Sequence, residues 1–232
     1  MNTDHEFFLM QLSDSFFPSG MFGLSNGLES LVRHGIIKNE KDVLNFISQQ
    51  IEFQLVPCDC IIFLTAMNAA KNNNIKELVE ADNLFYSMRL IKEVRNTSVR
   101  SGSQILNCIT QITSKKENKF AKEFQAKIET SQAVGTYPVC LGIAAEFLGI
   151  PEESGTRMML YSFSQGIVAA AIKLGIIEHI SGQKILALLS DKINFIAKNN
   201  KKESLNNVWQ LTPMTDVFQM IHEHENSKMF IT

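Results

Sequence analysis

A chain of 232 residues can bury one sizeable core, and no Pro-, Gly- or Ser-rich linker divides it, so one domain over residues 1–232 is expected. Hydrophobic residues at 45% and charged residues at 20% are the composition of a globular protein and exclude extended disorder. A net charge of −2 gives no field for gathering phosphates, and Lys115-Lys116 and Lys201-Lys202 are isolated pairs, which excludes nucleic acid as a partner.

Met1 to Glu6 is polar, without a cationic start followed by an apolar run, so no signal peptide is read there. A cytoplasmic location follows as an expectation, with Cys58, Cys60, Cys108 and Cys140 reduced. The first dense motif runs from Gln11 to Gly20 and on to Gly27-Leu28-Glu29. It sets turn and capping residues among apolar ones, a mixture suited to contacts rather than chemistry. Inside it, Gly23-Leu24-Ser25-Asn26-Gly27 fits the G-x-S-x-G pattern of a hydrolase elbow, which needs a strand entering the turn. The residues before it, Phe16-Phe17-Pro18-Ser19-Gly20, form an irregular turn instead. Small residues at a helix start are the preferred reading, and a serine hydrolase using Ser25 is the alternative.

Val43, Leu44, Ile47, Ile51 and Leu55 recur at helical steps, and Pro57 is placed to open the next helix. Cys58 and Cys60, at such a helix start, would offer two thiolates to a soft metal; two ligands do not complete a site, and buried structural cysteine is the commoner reading. Asp82 to Gly102 reads as one helix whose stripe of Leu84, Met88, Ile91, Arg95 and Val99 sets Arg95 among apolar positions. Its guanidinium needs a carboxylate, with Asp14 and Glu29 as candidates. Arg89, Glu93 and Arg100 read as a solvated ion-pair ladder.

Gly149-Ile150-Pro151 closes a helix, and Gly155 to Leu174, apolar nearly all round, should be a central helix. The longest apolar stretch, Met158 to Leu174, falls short of the ~20 residues of a spanning helix, so no membrane span is read. Ser181 is placed to cap a further helix carrying Ile185, Leu186, Leu188, Leu189, Ile193 and Ile196. The expected fold is all-α, a single-domain helical bundle of roughly eight to ten helices around a central apolar helix.

The second dense motif is His222-Glu223-His224-Glu225 with Ser227-Lys228-Met229-Phe230. His222 and His224 stand two apart and point in different directions, so they are weak metal candidates and a solvated polar face is the ordinary reading; a metal carrier using His222 and His224 with Cys58 and Cys60 is a further alternative. Met229, Phe230 and Ile231 are apolar residues at a chain end, and Met229 to Thr232, like the flexible first few residues of the chain, are expected to be poorly ordered until a partner orders them. No phosphate loop, dinucleotide turn or zinc-protease helix occurs, and catalytic residues are read as none.

The order of these motifs resembles the urease accessory protein UreF family from Leu9 to Phe230. The resemblance is carried by Leu12 to Phe22 with Gly27-Leu28-Glu29, by Glu93-Val94-Arg95 to Ser98 with Arg100 and Gly102, and by Tyr137-Pro138-Val139 with Gly142. Lys173-Leu174 with Gly182-Gln183, and His222-Glu223 with Ser227 to Phe230, complete it. Where relatives have Arg-Leu-x-Pro-Leu-Gly-Gln this chain has Lys173 to His179, and the tail's arginine is Lys228, which lacks arginine's two-pronged grip. The resemblance implies a non-enzymatic, dimeric adaptor that bridges the GTPase UreG and the scaffold UreD (UreH), which meets apo-urease. It implies GTP-dependent nickel insertion, with nickel handled transiently and no cofactor held tightly. Partner-binding residues would be Ser13, Asp14, Pro18, Gly20, Glu29, Glu93, Arg95, Arg100, Lys173, Gln183, His222, Glu223, Lys228 and Phe230, the tail being about 222–232.

Overall fold

The computed structural model describes residues 5–20, 23–112, 119–200 and 203–231. Met21, Phe22 and the lysine pairs 115–116 and 201–202 lie outside them. The described residues are helical with no strand: α1 (His5–Ser13), α2 (Leu28–Arg33), α3 (Glu40–Gln50), α4 (Ile61–Lys71), α5 (Ile75–Met88), α6 (Lys92–Ile112), α7 (Lys119–Glu129), α8 (Tyr137–Phe147), α9 (Glu152–Lys173), α10 (His179–Asn199) and α11 (Pro213–Glu223). A π-helical stretch, Ile51–Cys60, joins α3 to α4 in one helix of 32 residues, which leaves ten separate α-helices among the described residues.

Helix ends follow local chemistry. Asn39 and Asn74 cap α3 and α5 by accepting the amides of Asp42 and Glu77. The ends of α8 and α9 are closed by Gly149 and Gly175 in left-handed conformation, with Ile150 N–H reaching the carbonyl of Ala145 and Ile176 N–H that of Ala171. The segment that departs from the resembled pattern, Gly175 to His179, is therefore a helix stop, with Ile177 buried behind it. Glu178, not Ser181, precedes the first turn of α10; Ser181 lies inside the helix.

Helix α9 lies at the centre, packed against α1, α2, α3, α4, α10 and the π-helical stretch. Glu40–Lys71 is the one described helix long and apolar enough to cross a membrane, and 67% of its apolar 18-residue window is buried inside the fold, where it serves packing. Pro57 does not open a helix. It sits inside the π-helical stretch, where the break in the ladder frees carbonyls that a strap before α11 takes up: Trp209 donates to Pro57 O at 3.1 Å and Leu211 to Phe53 O at 2.8 Å.

Asp82 to Gly102 is two helices, α5 and α6, broken at residues 89–91. The break exists because the two arginines flanking it go inward and backward. Arg89 is buried and paired with Asp59, while Arg95 donates to the carbonyls of Arg89 and Leu90 at 2.6 and 2.8 Å, satisfying the end of α5. Arg95 therefore has backbone partners, not Asp14 or Glu29, and Arg89 is no member of an exposed ladder. On α5, the fully buried carboxylate of Asp82 accepts from the amides of Val134, Gly135 and Thr136 and from the Thr136 hydroxyl at 2.6–2.8 Å. Against this loop α6 passes at Gly102, where a Cβ would lie 2.2 Å from Gly135 O. Only glycine permits that approach.

Candidate functional site: the clamp on the C-terminal tail

The first and last motifs meet in three dimensions. Gly27, at φ +86°, lets the start of α2 run so close to α11 that an added Cβ would touch Gln219 at 3.0 Å. That approach brings Glu29 of α2 beside His222 of α11, and the first turn of α6 supplies Glu93 on the other side. His222 is fully buried, its Nε2 3.3 Å from Glu29 and its Nδ1 3.2 Å from Glu93, a geometry both ring nitrogens satisfy when each carries a proton. Glu223 turns outward from the same helix end and accepts the Glu93 amide at 2.8 Å, capping α6 with a carboxylate where the helix dipole favours one.

Beyond α11 the chain folds back over this triad. Lys228 Nζ reaches Glu93 at 2.6 Å and the Glu223 carbonyl at 3.3 Å, a point contact that a lysine ammonium makes as well as a guanidinium would. Glu29 then accepts the amides of Met229 at 2.8 Å and Phe230 at 3.0 Å, and Ile231 N–H closes on Gly23 O at 3.1 Å. Arg33 grips the turn from outside through Glu29, Glu225 and the Ser227 carbonyl. Phe230 is 6% exposed and belongs to the core, with the Lys173 ammonium 5.5 Å over its ring. The tail is thus docked in the isolated chain, contrary to the expectation that Met229 to Ile231 would be disordered. Its amides and one aromatic ring find partners on the chain's own body.

Burial alone would raise the Glu29 carboxyl. The Met229 and Phe230 amides and His222 outweigh it, and the net shift is below the ordinary 4.5. A carboxylate held below its free value favours the docked tail above that free value and loses the advantage as pH falls through the docked one. Amide protection of Met229 and Phe230 is therefore expected to persist at neutral pH and to fall as pH drops below about 4.5. Hydrogen exchange across pH 3 to 7 checks it; protection unchanged down to pH 3 would contradict this role of Glu29.

The other expected site residues fall in two groups. Ser13 and Asp14 end α1, Ser13 donating to the Leu9 carbonyl and Asp14 accepting the Phe16 amide, and both line a cleft of about 110 Å³. Its floor is the Asp59–Arg89 pair, which Gln210 of the strap completes by accepting from Arg89 at 2.6 Å. Burial pushes the Asp59 carboxyl up, the charge of Arg89 opposes this, and Asp59 in turn holds the guanidinium charged. This buried network has no signal in the sequence beyond a charge inside an apolar stretch. Gly20, at φ +75°, turns the chain over Ser101. Pro18, Arg100 and Gln183 are exposed and apart from the clamp, and His224 is exposed beyond its end.

Ser25 is buried, and its hydroxyl accepts the Glu29 amide at 3.3 Å, the work of a residue at a helix start. Among the described residues no strand enters this turn, as a hydrolase elbow would need. Cys58 and Cys60 lie inside the long helix, not at its start. Burial pushes the Cys58 thiol up to about 12 and Cys60 well above its ordinary value, away from thiolate chemistry. Among the described residues no group of three or more His, Cys, Asp or Glu side chains is arranged to hold a metal ion.

Among the described residues the body is all-helical, and its buried polar side chains hold the chain's own tail. The family model described as UreF matches residues 37–190, two thirds of the chain, and the chain belongs to that family. Its relatives run nearly end to end. The urease accessory protein UreF of Trichodesmium erythraeum is 29% identical over 96% of this chain and 94% of that protein. That of Photorhabdus laumondii is 27% identical over 96% of both, and UreF 1 of Brucella melitensis 26% over 96% and 91%. Accessory protein is the class in each name, one that serves an enzyme rather than being one.

Proposed function

We propose that this chain is an adaptor in urease maturation that joins the GTPase UreG to the scaffold UreD (UreH) at apo-urease, so that nickel is inserted with GTP hydrolysis. It works in the cytoplasm as a homodimer and handles nickel transiently within the complex. Membership of the UreF family supports the role, and the observation that carries the assignment of residues is the docked tail. Glu29, Glu93, His222, Glu223, Lys228 and Phe230, drawn from motifs at both ends of the chain, converge to hold one exposed surface in one conformation. Phe230 is the anchor into the chain's own body. The outward apolar residues are its neighbours, Met229 at 62% and Ile231 at 44% exposure, and these meet UreD. Binding to a preformed surface avoids the cost of ordering a free tail.

The test is a chain ending at Ser227, which removes the clamped residues and keeps buried His222 in place. Capture of UreD is expected to drop at least about tenfold, the loss of one or two apolar contact residues, with helicity unchanged by circular dichroism. Undiminished capture would overturn the role of the tail. Capture lost together with helical signal would assign Lys228 to Ile231 to stability instead.

A further inference from the structure

Among the described residues five glycines lie inside α-helices, and packing explains four of them. A Cβ added at Gly102, Gly142, Gly155 or Gly182 would lie 2.2–2.7 Å from an atom of a neighbouring segment. Gly166, within α9, is different: a Cβ there would meet nothing within 4 Å. A glycine inside a helix weakens it relative to alanine, and at this position no close approach calls for one. Met159, Ser162, Phe163 and Gly166 recur at three- and four-residue steps, so they share one face of α9. All four line the cleft of about 110 Å³ whose floor is the Asp59–Arg89 pair. The side chain that Gly166 lacks is open cleft.

The chemistry of the lining says what fits the space. Leu55, Phe85, Met159 and Phe163 make apolar walls, whereas the floor is polar and buried, Asp59 at 9% and Arg89 at 6% exposure. Of its five N–H donors the Arg89 guanidinium gives one to Asp59 and one to Gln210, and Asp59 takes its share through Oδ2. A carboxylate and a guanidinium thus stand side by side at the cleft floor. The charged residues of the lining are Asp14, Asp59 and Arg89, two carboxylates against one guanidinium, which disfavours an anion. A cation would compete with Arg89 for Asp59 and leave a buried charge unpaired. An amide group needs neither exchange, because it carries no charge and both accepts and donates. We infer that the cleft binds a small uncharged primary amide, its C=O accepting from Arg89, its NH2 donating to Asp59 and its apolar substituent lying over Gly166 between the walls. A cavity of about 150 Å³ holds benzene, so a ligand of about six heavy atoms suits this one. Such a site is separate from the adaptor role and does not depend on it.

Isobutyramide, with a branched three-carbon substituent on the amide, is the probe. The full chain carrying 13C at its methionine methyls reads binding, because Met159 lies in the cleft wall while Met214 and Met229 are exposed elsewhere at 48% and 62%. Titration is expected to move the Met159 methyl signal, to leave Met214 and Met229 in place, and to saturate with a Kd on the order of 1 mM. Isobutyrate and isobutylamine, which keep the branched frame and carry a charge, should bind at least about tenfold more weakly. Gly166→Leu puts a side chain into the open space and should abolish the response of Met159 to isobutyramide. Gly166→Ala, a milder filling, should weaken binding about threefold and raise the thermal midpoint by about 2–4 °C, as alanine improves the helix. A Met159 signal unmoved at about 50 mM isobutyramide, or one that moves no more than Met214 and Met229, would overturn the site. Binding undiminished in both Gly166 variants would place the ligand outside the cleft and overturn it equally. Isobutyrate or isobutylamine binding as tightly as the amide would overturn recognition by the Asp59–Arg89 pair.

Discussion

Replacing Glu29 with alanine is expected to free the C-terminal tail while leaving the helical body folded. Glu29 is the one side chain that accepts both tail amides, Met229 at 2.8 Å and Phe230 at 3.0 Å, and it also faces His222 at 3.3 Å and Arg33 at 3.1 Å. Hydrogen bonds to a charged acceptor contribute more than neutral ones, and two of them lost at once amount to about 3 kcal/mol, a shift of roughly 100-fold towards the released tail. The imidazole of His222 also loses one of its two carboxylates, so part of the effect is a buried polar group left without a partner. Amide exchange at Met229, Phe230 and Ile231 reads the outcome. Protection lost there and kept in α9 and α4 would establish Glu29 as the clamp; protection kept everywhere would show that burial of Phe230 holds the tail unaided. Phe230 is 6% exposed, and its burial is the rival contribution.

Asp82→Ala is expected to destabilise the whole fold. The carboxylate is fully buried and gathers three backbone amides and a hydroxyl from residues 134–136, which form the entry to α8 and the floor on which α6 rests at Gly102. Removal strands four donors in the interior, and breaking a network of this kind costs about 3–5 kcal/mol. Against a total stability of about 5–15 kcal/mol that is a large share, and the denaturant midpoint should fall markedly with little change in slope. Asp82→Asn, which keeps the shape and one acceptor oxygen, should recover part of the loss. A midpoint shift worth less than about 1 kcal/mol would show the loop to be held by packing instead.

How much of the site was legible varies from residue to residue. Glu29, Glu93, His222, Glu223 and Lys228 stand out because each belongs to a compact motif of unlike residues, and all five belong to the clamp. That they act on one another was not legible, because Glu29 and His222 are 193 positions apart and nothing local links them. Arg95 was visible as a charge in an apolar stripe, but its partners proved to be backbone carbonyls freed by a helix break that periodicity carried straight through. Arg89 was missed for the same reason. Two helices in matching phase read as one until the residue between them turns inward. Gly149 and Gly175 behave as the rules for helix stops require, since a left-handed residue ends a helix by local geometry alone.

The sequence by itself determined the all-helical class, the central apolar helix, the helix stops and the choice of residues at both ends. Each of these rests on interactions within a few positions of chain, where propensity, capping and 3.6-residue periodicity act directly. Only the tertiary structure decided that Phe230 turns inward while Met229 and Ile231 face out, that Asp59 finds Arg89, and that Leu188 leaves the core its neighbours enter. Those outcomes depend on which surfaces the packed helices leave within reach of one another. A carboxylate, an amide or an apolar face carries no mark in the chain of the distant group that will satisfy it.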